Sequence, residues 1–186
     1  MAYCCQAIGV YLLNLFVTDP DPVVCAMNLD DKRIGKLLME CNQMMSLAIK
    51  SHWPEDDGSY VFWETPTELT SGMAYLNHPV SIWVRQTRAN FLWTLEHAES
   101  LWMEFQYRFG RVHASGNRLA FMRRYSDVIP EGELTEFQNS AKNGEVDFTF
   151  LPVPDSYRHY LAARWRTDKN AVTFTERHSP EWRFSL

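Results

Sequence analysis

The chain has no run of ~18 consecutive apolar residues, so nothing in it reads as a membrane-spanning helix. It has no excess of positive charge: 18 Lys and Arg stand against 23 Asp and Glu, for a net charge of −5. That sign excludes a protein held to nucleic acid by bulk charge, and any such site must be a local basic patch on an acidic molecule. Cysteine is scarce. The four residues, Cys4, Cys5, Cys25 and Cys41, fit neither a zinc site nor a disulfide framework and read as reduced thiols. There is no P-loop, no GxGxxG and no GxSxG. His52, His78, His97, His113, His159 and His178 form no HExxH and no i,i+4 pair, so no metal and no cofactor is expected. Only a convergence of His78, His113 and Glu104 in space would change that. The start, MAYCCQAIGVYLLNLFV, is apolar but lacks a basic n-region and runs into a Pro-rich turn, which speaks against a signal peptide.

What the chain does have is 46% apolar residues, with 7 Trp, 8 Tyr and 11 Phe. That is ample for the core of one domain of 186 residues. The pattern is helical. Over residues 30–49 the apolar Ile34, Leu37, Leu38, Cys41, Met44, Met45 and Ala48 recur at 3.6-residue spacing and share one face. Arg33, Lys36, Glu40 and Gln43 share another arc. The bland reading of that arc is an exposed Lys36–Glu40 pair at i,i+4, contributing a few tenths of a kcal/mol. The functional one is a lone carboxylate among cations on a pocket wall.

Around this helix, residues 10–17 read as a short buried strand or extended segment. Asp21 caps and Pro22 opens a short helix. Pro54 closes the central helix, and residues 54–76 form a loop-rich insert. Residues after Pro79 predict one long, largely buried helix up to Gly110, a C-cap. Its polar residues Arg85, Arg88, Asn90, His97, Glu104 and Arg108 therefore need partners. A loop and a short basic helix follow, carrying His113. A second loop-rich insert spans 126–152, and a last helix is expected over Ser156–Thr167 with Tyr157 and Tyr160. The tail TERHSPEWRF is expected to dock back. The fold class is all-α: one helical domain over 1–186, with an N-terminal extension 1–12 and room for one short strand near the N-terminus.

The stretch Asp31-Lys32-Arg33-Ile34…Lys36…Glu40…Gln43 resembles the catalytic helix of the pyrimidine-dimer DNA glycosylases of the T-even phage type. In that family an Asp-x-His-Leu element is followed, seven residues after the His, by an essential Glu. Arg33 stands in the His place and Glu40 in the Glu place. The block His78-Pro79…Trp83…Arg85, leading to Glu104…Arg108-Phe109-Gly110, resembles bacterial relatives of the family. Tyr157-Arg158-His159-Tyr160-Leu161 resembles its aromatic, base-contacting C-terminal segment. The resemblance implies a compact all-α fold and a glycosylase with lyase activity, in which an amine attacks the sugar C1′ and the Glu assists. In the family that amine is the processed N-terminus. Relative to the family, the chain carries an N-terminal extension of about a dozen residues. The nucleophile is then either the α-amine or an amine of Lys32 or Lys36, activated by burial and cationic neighbours.

The expected function is a DNA glycosylase/lyase-like protein acting on a damaged or modified DNA base. Glu40, Lys36 and Arg33 would be catalytic. Gln43, His78, Arg85, Arg88, Glu104, Arg108, His113, Tyr157 and Tyr160 would bind the substrate. The alternatives are a phage base-hypermodification transferase on the same scaffold and a non-catalytic phage protein that binds nucleotide or DNA or acts as an inhibitor. The partner is DNA or a nucleotide at a local basic patch, with no membrane and no cofactor. The expected compartment is the cytoplasm, the host's if the chain is phage-encoded.

Overall fold

The structure is a computed structural model that describes residues 13–53, 75–144 and 146–186. It is all-α, with one two-residue hairpin. The helices are α1 (Pro22–Met27), α2 (Asp31–His52), α3 (Pro79–Gln86), α4 (Arg88–Phe109), α5 (Leu119–Arg124), α6 (Val153–Thr167) and α7 (Trp182–Ser185). Short 3₁₀ turns fill Ala114–Arg118 and Ser126–Val128. Strands β1 (Lys142–Asn143) and β2 (Val146–Asp147) pair antiparallel, with Lys142 opposite Asp147.

The local rules that start and stop these helices are visible. Asp21 accepts from the Val23 N–H at 2.8 Å and Pro22 opens α1. Gly110, at φ +61°, gives α4 a left-handed cap that closes on the Gln106 carbonyl. Thr87 sits at φ −139°, ψ 155° and accepts from the Asn90 N–H. The single long helix expected after Pro79 is therefore two helices that meet at Thr87. A β-branched residue with a capping hydroxyl resets the chain there without breaking the apolar rhythm. The last helix starts at Val153, three residues early, because the Pro152-Val153-Pro154 stretch suits a first turn that needs no amide donors.

α2 and α4, 22 residues each, form the centre. All seven predicted core positions of α2 are buried, and α2 packs against α3, α4 and α5. α1 lies on α4. Two ring groups of α4 grip the turn ahead of α1. Trp93 Nε1 donates to the Pro20 carbonyl at 2.8 Å, and His97 Nδ1 donates to the Pro22 carbonyl at 2.9 Å. The 126–152 insert is pinned along α3 and α4. Asn90 Nδ2 donates to Thr135 Oγ1, its Oδ1 accepts from the Thr135 N–H, and Trp83 Nε1 donates to the Glu136 carbonyl.

Residues 13–17 carry no regular secondary structure, so the short strand that was one of the two forms expected over 10–17 does not form among the described residues. Asn14 Oδ1 accepts from the N–H groups of Leu15 and Phe16 and bends the chain. Phe16 is thereby held at φ +47°, left-handed for a bulky residue. Residues 1–12 and most of the 54–76 insert lie outside the described residues.

α6 reaches α2 through side chains. Trp165 Nε1 donates to Asp30 at 2.8 Å, and Asp168 accepts from Lys32 at 3.1 Å and from Arg33 at 2.9 Å. The tail docks as expected: the Thr175 N–H and Oγ1 donate to Asp31, and Arg177 pairs with Glu104 at 2.6 Å.

Candidate active site

Where Asn14 and Phe16 meet α2 and α6, a small pocket of about 110 Å³ opens. α2 supplies Lys32, Arg33, Lys36, Leu37 and Glu40 to it, α6 supplies Tyr160 and Arg164, and Asn14 and Phe16 close the third side. These α2 residues come together because they are three, four and seven or eight apart, which stacks them on one helical arc. Tyr160 and Arg164 are likewise one turn apart on α6. Phe16 stacks on Tyr160, ring centroids 6.1 Å apart and planes 25° from parallel.

Glu40 is only 4% exposed, and its carboxylate stands 3.3 Å from Lys36 Nζ. Burial pushes the Glu40 carboxyl above the usual range, and Lys36 and the Asn14 backbone amide only partly offset that. Lys36 itself is 47% exposed, so the pair has one wet and one dry end. Arg33 is held from behind by Asp30 at 2.7 Å and Asp168 at 2.9 Å. Burial works against its charge, and the two carboxylates more than compensate. Burial also raises the Tyr160 phenol. Glu40 borders a second cleft of about 390 Å³ whose described lining is Leu13, Lys36, Met39, Gln43 and Tyr75. The carboxylate thus sits on the divide between a cationic pocket and a largely apolar one.

Of the residues singled out in the sequence, Arg33, Lys36, Glu40 and Tyr160 meet in the pocket, with Gln43 in the adjoining cleft. The others have structural partners elsewhere. His78 caps α3, its Nδ1 accepting from the Val80 N–H at 3.3 Å, and burial lowers its pKa. Arg85 donates to the Leu76 carbonyl. Arg88 pairs with Asp127 and Glu131. Glu104 and Arg108 belong to a buried network: Arg108 donates to Glu104, Asp31 and the carbonyls of Met27 and Leu29. Tyr157 is fully buried, accepts from the Ser140 N–H at 3.1 Å and donates to the Gln138 carbonyl at 3.2 Å. His113 lies on the far side of Lys36 from Glu40, against Phe105. His78, His113 and Glu104 do not converge, and no metal-binding group of His, Cys, Asp or Glu occurs among the described residues.

The sequence reading missed Asn14, Phe16, Arg164 and Asp168, while Lys32, named there as a candidate amine, does line the pocket. Arg164 had a signal: it lies one turn beyond Tyr160. Asn14, Phe16 and Asp168 had none, because only the fold brings their segments to α2.

Chemically, the pocket can hold an anionic group among Lys32, Arg33, Lys36 and Arg164. It can offer Glu40 as a proton donor or acceptor, and it can set a flat ring or sugar against Tyr160 and Phe16. No family model, no curated protein and no solved structure matches this chain.

Proposed function

We propose that the Glu40 pocket binds the sugar-phosphate of a damaged or modified nucleotide and that the protein is a glycosylase/lyase-like enzyme. The observation that supports this most is a nearly dry carboxyl, resistant to ionisation, facing four cationic side chains and an aromatic wall. A solvated ion-pair face would leave that carboxyl wet. The Lys and Arg side chains would hold phosphate oxygens, and Tyr160 and Phe16 would flank the sugar or base.

The proposed chemistry uses the Lys36–Glu40 contact. A bound ligand expels water, and the shared proton passes from the Lys36 ammonium to the Glu40 carboxylate, leaving amine and acid both neutral. The amine lone pair forms a bond to C1′. The bond from C1′ to the base breaks, its electron pair leaves with the base, and Glu40 protonates the departing nitrogen. The new C1′ ammonium returns one proton to Glu40, and opening of the sugar ring, with that proton passing to the ring oxygen, gives an iminium that water later hydrolyses.

The test is borohydride trapping on an abasic or damaged oligonucleotide. The expected result is a covalent protein–DNA adduct, lost in Lys36→Met and in Glu40→Gln. An adduct that survives Lys36→Met while disappearing in a chain lacking residues 1–9 would give the nucleophile to the terminal amine. The second reading is a non-catalytic nucleotide binder, favoured by the way Asp30 and Asp168 already hold Arg33 in place. Tight binding with no adduct and no strand cleavage would decide for it.

A further inference from the structure

Lys32 and Lys36 line two clefts. One is the Glu40 pocket. The other adjoins it along α2 and is larger, about 540 Å³, walled by Phe105, Phe109, Arg111, Val112 and His113. Its composition differs from that of a surface hollow. Phe105 and Phe109 meet edge to face at 4.8 Å, and the Arg111 guanidinium lies 5.5 Å and 5.9 Å from their centroids. The His113 ring stands edge-on to Phe105 at 4.8 Å. Its Nδ1 accepts from the Ser115 N–H, which leaves the proton of the neutral ring on Nε2.

The floor is Gly35, in the middle of a helix where Gly is unfavourable by about 1 kcal/mol against Ala. A Cβ there would come within 3.2 Å of Phe105 and 3.4 Å of His113 Nε2. The missing side chain lets α4 and the His113 turn approach α2 closely. Asp31, the acid in this cleft, is occupied by Thr175 and Arg108. What faces the opening is cationic and aromatic.

We infer that this cleft holds the nucleotide next in the strand to the one at Glu40, with the bridging phosphate on Lys32 as the strand passes Lys36, and its base against Phe109 and Arg111. This rests on the reading of the Glu40 pocket as a nucleotide site. Among the described residues, Lys32 and Lys36 are the two common to both linings, so a strand crossing from one cleft to the other passes over them. A phosphodiester is the part of the strand whose charge the Lys32 ammonium complements. Aromatic rings with a guanidinium take any base by stacking, without regard to its hydrogen-bonding edge. The occupant is therefore a single-stranded or unstacked segment, since paired bases present no face.

The experiment compares two probes by titration at low ionic strength. The first is a 5′-phosphorylated tetrahydrofuran, an abasic sugar-phosphate. The second is the same unit joined through a phosphodiester to one thymidine. The second should bind at least about tenfold tighter, within the range that stacking one base contributes. Arg111→Gln and Phe109→Leu should each reduce that advantage to about threefold or less and leave the affinity for the first probe unchanged. Equal affinity for the two probes would overturn the inference. So would variants that weaken both probes alike, or an advantage untouched by either variant. If only the second probe binds, and Arg111→Gln abolishes that binding, the larger cleft takes a nucleotide by itself, and the Glu40 reading falls together with the pairing of the two clefts. If the first probe binds and Arg164→Gln abolishes its binding, the Glu40 reading stands whatever the second probe does. If neither probe binds, both fall.

Discussion

Acidification should loosen the protein through His97, well before its carboxylates are protonated. The ring is fully buried on α4, tilted against Trp93 at 5.3 Å, with Nδ1 donating to the Pro22 carbonyl. Burial pulls its pKa from 6.5 down to about 4, and the carbonyls of Pro22 and Leu15 offset this only in part. The sign follows from linkage. The unfolded chain takes up a proton near pH 6.5, while the folded chain resists until about pH 4. Stability is therefore full above pH 6.5 and falls as pH drops toward 4. At 1.36 kcal/mol per pH unit, that window corresponds to about 3 kcal/mol.

Other groups act in or near the same window. His78 and His113, also lowered by burial, add in the same direction. Glu40, raised by burial, opposes them by favouring the fold as it protonates. Asp31 and Asp168 have lowered values despite burial, because Thr175 and Arg108 on one side and Arg33 and Lys32 on the other hold them ionised, so they act only below pH 3.8. The assay is urea unfolding followed by Trp fluorescence from pH 7.5 to 4.5, for the wild type and His97→Gln. The wild type should lose about 2–3 kcal/mol more than the variant over that range. Parallel profiles would refute the assignment of the acid step to His97.

Glu40→Gln should change stability by less than about 1 kcal/mol at pH 7, because the loss of a half-wet ion pair is balanced by relief of a buried charge. A thermal melt would check this, and a loss as large as that of Leu38→Ala, about 2–5 kcal/mol, would make Glu40 structural. Arg108→Met should destabilise by about 3–5 kcal/mol in urea unfolding, since it strips partners from Glu104 and Asp31 in the interior. Tyr157→Phe should lower stability by about 1–2 kcal/mol, because the Ser140 amide loses its acceptor, with no effect on nucleotide affinity. A chain lacking residues 1–9 should retain binding to the Glu40 pocket in a direct titration.

Periodicity made α2 legible, because a helix that buries one face and presents another writes both into its sequence. Ile34, Leu37, Leu38, Cys41, Met44, Met45 and Ala48 went inside, and the Arg33–Lys36–Glu40–Gln43 arc went to clefts. Periodicity also misled. Apolar spacing continues across Thr87, so two helices looked like one, and only the Thr side chain's choice of the Asn90 amide separates them. It could not separate Tyr157 from Tyr160, three apart on α6. One is a core phenol tied to the 138–140 backbone, and the other lines the pocket. The polar residues of α3 and α4 looked functional because they are cations and acids on buried helices. Their partners, Asp127, Glu131 and Arg177, lie in loops whose path no local pattern specifies.

The Arg108 side chain has no solvent exposure, and its guanidinium spends its N–H groups on Glu104 of its own helix and on Met27, Leu29 and Asp31 at the junction of α1 and α2. Phe105 and Phe109 flank it on α4, and Lys32 follows Asp31 on α2. The two walls of the larger cleft are thus bolted together at their base by a planar cation that cannot be left without partners away from water. Separating them would strand that charge. A ligand entering there meets walls already at their final spacing. A ligand of the proposed kind should therefore be captured in a single encounter step, whose rate responds to ionic strength and not to an opening equilibrium of the protein.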